Sequence, residues 1–409
     1  MSTGTLNHSS LQAERGITAP KGFRAAGVRA GIKRTRQDLA LIVSDVPAVA
    51  AGVFTTNTVQ AAPVTVTRQQ LGQNGRIRAI VVNSGNANAC TGRQGYEDAV
   101  AMVDATARAL RLDRSEVLVA STGVIGHFLP MDRVLVGIQH AAQSLDTEAN
   151  LDAAMAIMTT DTFPKQTQCT LDVEGIPVTI GGMAKGSGMI APNMATMLGF
   201  ITTDAAIEQQ TLQDLLRETV KVTFNHVVVD GDTSTNDMVL VLANGQSGAP
   251  MLKTGTDSYY RFATAFQQEL TKLAKMIARD GEGATKFLEV TVLGASSDDD
   301  ATKAARAICV SPLVKTAIYG EDPNWGRMLA ALGNAKIAFD PNLVEISLNG
   351  LPILKKDFVV VNTNNGIGKV LSQMDITIAI NLSKGQGTAT FWTCDLTEQY
   401  ITINAHYRT

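Results

Sequence analysis

Apolar positions recur along the chain with two different periods, and each period predicts one kind of element. Between positions 257 and 279 large apolar residues return every three or four positions, which predicts a helix with one buried face. These residues are Phe262, Phe266, Leu270, Leu273 and Ile277. Short runs rich in Val, Ile and Thr predict strands instead. The strands predicted in this way are 38–43, 49–55, 63–67, 77–82, 116–120, 178–182, 197–201, 287–293, 313–319, 336–339, 343–348, 358–361 and 376–382.

Helical patterns lie between and after these strands, at 96–110 and 149–160 among others. Many strands with helices between and after them indicate an α+β or layered α/β fold. The dipeptide Asn349-Gly350 predicts a hairpin turn between two late strands. A chain of 409 residues with 45% hydrophobic content can bury one large core or two medium ones.

Charge and cysteine usage narrow the classes of function. The net charge is −3, so neither nucleic acid nor an anionic membrane surface is expected as a partner, and no apolar run is as long as a membrane span. The four cysteines stand far apart without a C-x-x-C pair, which is typical of isolated thiols in a reducing compartment. The five histidines form no H-E-x-x-H motif, so we expect no metal site.

We therefore expect a soluble, cytoplasmic protein. Between Gly16 and Gln37 there are six basic residues and no acidic one, which is also typical of an organellar transit segment. That stretch leads directly into the strand at 38–43, which favours a folded first hairpin.

The sequence MAKGSGMIAPNMATML at 183–198 lies near the middle of the chain. Two glycines permit backbone conformations that a side chain would forbid, and Pro192 stiffens the peptide before Ala195 and Thr196. The hydroxyl of Thr196 could attack the carbonyl of Ala195. Hydrolysis of the resulting ester would make Thr196 a new N-terminus, whose own amine then acts as its base. Residue types alone favour a plain turn before a buried strand.

This central sequence resembles the self-cleavage signature of the ornithine acetyltransferases, also called glutamate N-acetyltransferases, a family of arginine biosynthesis. Other motifs of that family occur in the family's order along most of the chain. They are NSGNANA (83–89), STGVIG (121–126), TTDT (159–162), DGDTSTND (230–237), DGEGATK (280–286) and YGEDPNWGR (319–327).

The resemblance implies a layered α-β-β-α fold, in which two packed β-sheets lie between helix layers. It implies two fragments after self-cleavage, residues 1–195 and 196–409, which stay associated and pair into a heterotetramer of two α and two β chains. The reaction that it implies is ping-pong transfer of acetyl from N²-acetylornithine to glutamate. It implies no cofactor and leaves acetyl-CoA open as a second acetyl donor.

Roles for single residues also follow from the resemblance. Thr196 is implied to be the nucleophile, with cleavage between Ala195 and Thr196, and Thr122 and Gly123 are implied to form the oxyanion hole. The implied substrate-binding residues are Thr162, Lys185, Thr196, Glu282, Asn404 and Thr409. Without the resemblance, Thr122 and Gly123 are more simply interpreted as part of a turn.

Two of these residues carry charges that suit the substrate. Lys185 can pair with the carboxylate of N-acetylornithine, and Glu282 can pair with its side-chain ammonium. Taken alone, Lys185 is more often a solvated surface lysine, and Glu282 is more often a polar residue after a helix end.

Two other classes of function compete with acetyl transfer. A self-cleaving N-terminal-nucleophile amidohydrolase or aminopeptidase has the same threonine chemistry but delivers the acyl group to water. A nucleotide-binding module would use the glycines at 181–188, but the chain has neither G-x-x-x-x-G-K-[ST] nor G-x-G-x-x-G after a strand. The acidic run 230–237 resembles a cation loop, yet Val241 stands where a calcium loop needs glutamate. We expect a structural turn near the site there.

Overall fold

A computed structural model describes residues 15–73, 75–191, 197–361 and 366–406 of the protein. The strands are β1 (Phe23–Val28), β2 (Leu39–Phe54), β3 (Arg76–Asn86), β4 (Val117–Val124), β5 (Lys165–Val173), β6 (Ile176–Lys185), β7 (Leu198–Thr203), β8 (Met238–Ala243), β9 (Phe287–Ala295), β10 (Glu345–Leu348), β11 (Leu351–Lys355), β12 (Val359–Val360), β13 (Asp375–Asn381) and β14 (Gly387–Cys394). The α-helices are α1 (Ala62–Gln73), α2 (Gly92–Leu110), α3 (Met131–Gln143), α4 (Asn150–Ile157), α5 (Gln209–Val222), α6 (Asp257–Arg279), α7 (Asp298–Cys309), α8 (Pro312–Tyr319), α9 (Trp325–Gly333), α10 (Ile367–Leu371) and α11 (Glu398–His406). Single turns of 3₁₀ helix occur at Gly16–Thr18, Arg114–Glu116, Phe224–His226 and Pro341–Leu343.

The long strand β2 joins the two halves of the larger sheet. That sheet runs in the order β4-β3-β2-β8-β7-β6-β5, and β1 pairs with the first part of β2. The pairing of β2 with β3 shifts register between Val43 and Ala48, and from Val49 to Phe54 the strand is antiparallel to β8. An irregularity of this kind bends a strand, so β2 passes from one half-sheet into the other.

Side chains from the two half-sheets meet in one apolar core. Successive side chains of a strand point to opposite faces. Ile42 and Val82 of the first half therefore share a core with Phe200 and Leu240 of the second, and α4 adds Ile157. Helices α2 and α3 cover the outer face of β1–β4, and α5 and α6 cover that of β5–β8. This α-β-β-α layering confirms the predicted layered α+β class. The two packed layers are the halves of one continuous sheet.

A second sheet in the described part of the chain has the strand order β12-β11-β10-β13-β9-β14. Strands β9 and β13 are parallel, and the other neighbours are antiparallel. Its core contains Val290 and Ile378, packed against helices α7, α8 and α9. Trp392 and Cys394 of β14 lie instead in the core beneath α6. The two sheets are therefore joined through shared packing at α6 and β14.

Most of the predicted elements are confirmed, and the errors have local causes. The helix at 257–279 is α6, whose N-cap Thr256 accepts a hydrogen bond from the Tyr259 N–H at 3.2 Å. The basic N-terminal stretch does enter a hairpin, since β1 pairs with β2 in antiparallel fashion. The Asn349-Gly350 turn joins β10 to β11 with positive φ at both residues, as a tight hairpin requires.

Three predicted strands are wrong. Segment 63–67 lies in α1, where its spacing of three places Val64 and Thr67 on one buried helix face. Segment 313–319 lies in α8, because Ser311 caps that helix and Pro312 fits its first position. Segment 336–339 has no regular secondary structure. Within the described residues, no helix has both the length and the apolar content needed to cross a membrane.

Candidate active site

A cavity of about 100 Å³ lies where β4 and β6 end. Thr122 and Gly123 of β4, Lys185 at the end of β6, Glu282 after α6 and Asn404 of α11 all line it. The other lining residues are Ile125, Thr159, Thr160, Gly188, Met189, Ser234, Thr235 and Asn236. Five residues that the family resemblance singled out, spread over 283 positions of sequence (122 to 404), thus surround one cavity.

The remaining predicted site residues are not among these lining residues. Thr162 is exposed, and both its N–H and its hydroxyl donate to the carboxylate of Asp280. Its role as a substrate contact stays a prediction. Ala195, Thr196 and Thr409 lie outside the described residues.

Gly123 is required by the backbone at the end of β4. Its φ of +133° belongs to a region that residues with side chains rarely adopt. A Cβ at this position would lie 2.3 Å from the carbonyl carbon of Gly85 in the neighbouring strand β3. The glycine therefore lets the ends of β3 and β4 approach each other and present Thr122 at the cavity.

Lys185 is a buried ammonium, 2% exposed, so its interpretation as a surface lysine is wrong. Its Nζ lies 3.3 Å from Oγ1 of Thr122. Because an ammonium has donors only, the Thr122 oxygen accepts this bond and its own hydrogen stays available for donation. Burial lowers the pKa of Lys185 below its ordinary value, and the negative charge of Asp161 offsets this only in part. A carboxylate brought into the cavity would be attracted to this group.

An ion network that the sequence analysis missed supports Lys185 from behind. Lys165 is fully buried, and its Nζ lies 2.7 Å from Oδ1 of Asp161 and 2.5 Å from Oδ2 of Asp280. Asp161 also accepts the N–H of Gly186 at 2.7 Å, which fixes the chain directly after Lys185. Burial alone would raise the pKa of Asp161, but Lys165 and Lys185 hold it well below its usual range.

Glu282, which also lines the cavity, is fixed by two hydrogen bonds. Its N–H donates to the carbonyl of Ser187 at 2.9 Å, and its Oε2 accepts from Nδ2 of Asn404 at 2.7 Å. A Cβ at Gly188 would lie 2.3 Å from the Glu282 carboxylate. The second glycine of the central motif therefore gives the carboxylate room to lie against the backbone.

The acidic loop 230–237 closes one side of the cavity. Nδ2 of Asn236 donates to the carbonyls of Ala87 at 2.6 Å and Ser121 at 2.8 Å, which ties this loop to β4 and to the loop after β3. These contacts agree with the prediction of a structural turn near the site. Within the residues that the structure describes, no group of three or more His, Cys, Asp or Glu is placed to hold a metal ion.

The cavity brings together a hydroxyl next to a glycine backbone, a buried ammonium and a carboxylate. A hydroxyl with an adjacent backbone N–H, an ammonium and a carboxylate in one cavity are groups that an enzyme of the acyl-transfer class uses. The chain belongs to the ArgJ family, whose model matches residues 24–409. This finding confirms the resemblance from which the residue roles were assigned.

Similar proteins cover nearly the whole chain. An arginine biosynthesis bifunctional protein ArgJ from Symbiobacterium thermophilum is 54% identical over 397 residues, which are 96% of this chain and 98% of that protein. A protein of the same name from Oceanobacillus iheyensis is 46% identical over 410 residues and covers both chains in full.

Solved structures of similar chains align over a smaller share. The crystal structure of an ornithine acetyltransferase complexed with ornithine, from Mycobacterium tuberculosis, has 46% identity and a TM-score of 0.39, and covers 43% of this chain and 94% of that one. The crystal structure of an arginine biosynthesis bifunctional protein from Bacillus halodurans has 48% identity and a TM-score of 0.42, and covers 44% of this chain and 94% of that one.

Proposed function

We propose that this protein transfers acetyl from N²-acetylornithine to glutamate through an acetyl group held on Thr196, and so forms ornithine and N-acetylglutamate. The chain is an acyltransferase of arginine biosynthesis. The observation that carries the proposal is the cavity that buried Lys185 and Glu282 line together with Thr122 and Gly123. A donor substrate with one carboxylate and one ammonium has a partner for each charge there.

The chemistry needs no group beyond those of the chain and its substrates. The amine of Thr196, freed by cleavage, takes the proton of its own hydroxyl, and the hydroxyl oxygen attacks the acetyl carbon. The Thr122 hydroxyl and the Gly123 N–H donate to the oxyanion that forms. The bond from acetyl to the ornithine nitrogen breaks, the proton passes to that nitrogen, and ornithine leaves.

Glutamate then enters the same cavity with its amine facing the acetyl-threonine. The amine attacks the acetyl carbon, and the bond from that carbon to the Thr196 hydroxyl oxygen breaks. A proton passes from the glutamate nitrogen to this oxygen, which restores the Thr196 hydroxyl and releases N-acetylglutamate. Lys185 suits the carboxylate of either amino acid, so both half-reactions use one anchor. Thr162, Asn404 and Thr409 are proposed as further substrate contacts.

Processing is part of the proposal. Cleavage between Ala195 and Thr196 would give fragments 1–195 and 196–409. Strand β7 begins just after this junction and lies between β6 of the first fragment and β8 of the second. Because separation would break the β6–β7 pairing and expose the cores on both faces, the fragments stay together. We further propose that two such pairs form a heterotetramer that acts in the cytoplasm, to be tested by native mass measurement and by cell fractionation.

The word bifunctional in the names of the relatives supports a second activity. We assign it to acetylation of glutamate by acetyl-CoA as a co-substrate, without a bound cofactor. An assay of N-acetylglutamate formation with N-acetylornithine and acetyl-CoA supplied separately tests both donors. The proposal predicts product with N-acetylornithine. Release of free acetate at the same rate with and without glutamate would instead show a hydrolase.

A further inference from the structure

The basic N-terminal stretch has no role in the proposed reaction, and much of its charge lies in the loop between β1 and β2. Within this basic loop, residues 29–36, three arginines are exposed. None of the three forms an ion pair with a residue that the structure describes. The basic residues of the loop are Arg29, Lys33, Arg34 and Arg36.

The conformation of the basic loop is fixed by Asp38, which is fully buried. Its carboxylate accepts the N–H groups of Ala30 at 2.6 Å, Gly31 at 3.0 Å and Lys33 at 2.8 Å. The charges of Asp38 and Lys33 offset each other, and Asp152, which accepts a hydrogen bond at the end of the loop, offsets one arginine. The loop therefore keeps an excess of positive charge in a fixed arrangement.

The basic loop borders the candidate active site. A Cβ at Gly85 of β3 would lie 2.9 Å from Cγ of Lys33, and Gly85 is paired with Gly123 of the cavity. Nζ of Lys33 donates to the carbonyl of Met158 at 2.6 Å, and Met158 directly precedes Thr159, which lines the cavity. Lys33 thus packs beside both the end of β3 and the segment that forms one side of the cavity.

The positive charges of the loop and of the cavity act on each other. Burial lowers the pKa of Lys33 to about 8, and the charges of Arg36 and Lys185 lower it further. Asp38 and Asp161 oppose this only in part. A positive potential therefore extends from the basic loop to Lys185, and an anionic ligand bound between them would be stabilised by both.

The segment after β4 leads from the cavity to the basic loop. Ile125 lines the cavity, and Phe128 has a side chain that is 65% exposed. Further along, Nη1 of Arg133 in α3 donates to the carbonyl of Gly31 in the basic loop at 2.8 Å. An exposed aromatic ring offers a face on which a nucleobase can stack.

Acetyl-CoA carries its acetyl group at one end of a long arm and its adenine ring and phosphates at the other. A cavity of about 100 Å³ can hold only the acetyl end, since sites for drug-sized ligands have about 300–1,000 Å³. The phosphates must therefore lie on the surface beside the cavity. The planar guanidinium of arginine matches a phosphate with two parallel hydrogen bonds.

We propose that the basic loop 29–36 binds the phosphate groups of acetyl-CoA, with Phe128 stacked on the adenine ring. The acidic loop 230–237, which closes another side of the cavity, carries the exposed carboxylate of Asp232 and would repel phosphates. The inference rests on the proposed use of acetyl-CoA as a second donor, and it assigns the part of the protein that distinguishes this donor from N-acetylornithine.

The experiment compares the two donors in a variant of the basic loop. The double variant Arg34→Gln, Arg36→Gln should lower kcat/KM for acetyl-CoA about 10-fold, because two exposed charge pairs are lost. It should leave kcat/KM for N-acetylornithine unchanged, because that donor has no phosphate. Arg261→Gln is the matched control and should change neither value. It removes an exposed guanidinium from α6, roughly 28 Å along the helix from Asp280.

A donor without phosphates separates binding from damage to the site. The acetyl thioester of N-acetylcysteamine has the same reactive group as acetyl-CoA but neither adenine nor phosphate. The double variant should use it as well as the wild type does, and so should Phe128→Ala, which should lower kcat/KM for acetyl-CoA about 10-fold through lost stacking. Equal losses with both thioesters would overturn the inference, because the substitutions would then act on the cavity itself.

Calorimetric titration with CoA gives a readout that does not depend on acetyl transfer. CoA should bind the wild type about 10-fold more tightly than the double variant. If the wild type uses acetyl-CoA and the double variant uses it equally well, the inference is wrong and the second activity stands. If CoA binds through the loop but no N-acetylglutamate forms from acetyl-CoA, the inference stands and the second activity is wrong. A wild type that neither binds CoA nor uses acetyl-CoA overturns both and leaves transfer from N-acetylornithine unaffected.

Discussion

The core of the second sheet and the ion network behind the cavity are equally buried, but the first consists of apolar side chains and the second of charged ones. Val290 and Ile378 lie side by side in β9 and β13, and helix α7 covers them with Ala304. Behind the cavity, Lys165 is just as inaccessible but is paired with two aspartates. Burial of apolar surface stabilises the first region at about 25 cal/mol per Å².

The charged wall gains less, because removing ions from water costs nearly what their attraction returns. The ion network instead fixes the position of the chain beside the cavity. Asp161 binds both Lys165 and the backbone N–H of Gly186, so the network fixes the chain next to Lys185. The comparison indicates that the second sheet is organised for stability and the cavity wall for geometry.

Lys165→Met should have the largest effect on the stability of the protein. It leaves Asp161 and Asp280 buried without their cation, so the free energy of unfolding should fall by about 3–5 kcal/mol. Ile378→Val in the second sheet is the matched control and should cost only about 1 kcal/mol. Denaturant unfolding of both variants checks the pair. Equal losses would show that the cavity wall and the second sheet respond alike to a lost interaction.

Lys185→Ala and Glu282→Ala test the charges that face the cavity. Each should lower kcat/KM for N-acetylornithine, since each removes one charge-assisted contact. The expected ratio of the two kcat/KM values corresponds to a loss of about 1.5–3 kcal/mol in transition-state stabilisation. Steady-state kinetics measures this effect. Lys303→Ala removes an exposed ammonium from helix α7, which packs against the second sheet, and should leave kcat/KM unchanged. Wild-type kinetics in both cavity variants would show that the substrate lies elsewhere.

Asp237→Asn gives the most specific effect, because it shows only as a dependence of stability on pH. Its raised pKa means that the folded state keeps this proton after the unfolded chain has lost it, so stability falls as pH rises from about 4 through the folded-state pKa. Asp237→Asn removes that loss. In the uncut Thr196→Ala background, its stability advantage should grow with pH by at most about 1.4 kcal/mol per pH unit. If the stability difference between the two proteins stayed constant from pH 4 to pH 7, the pKa of Asp237 would not be raised in the folded state.

Sequence patterns predicted the apolar regions well because apolar burial is periodic. The stripe from Phe262 to Ile277 becomes the inner face of α6, and the alternating residues of 376–382 become β13. The wrong strand at 313–319 shows the limit of composition. Ser311 and Pro312 form a helix start, and that local signal outweighs the β-branched content that follows.

The candidate site was predicted only through the family resemblance. Thr122, Lys185 and Glu282 stand far apart in sequence, and no periodicity reports that they share a cavity. Lys165 was missed because a buried lysine has the same sequence signal as a solvated one. The pairing of Asp280 with Lys165 spans 115 positions, so only the fold could reveal it.

Thr196 as acetyl carrier is the central claim, and the first half-reaction tests it most directly. Enzyme incubated with N-acetylornithine alone should release one ornithine per site and leave one acetyl group on the fragment that begins at Thr196, as intact mass after rapid quench would show. Glutamate should then remove the acetyl group as N-acetylglutamate, and Thr196→Ala should remain one uncut, unacetylated chain. Ornithine release that requires glutamate, with no acetylated fragment at any time, would contradict the account and show direct transfer between the two substrates.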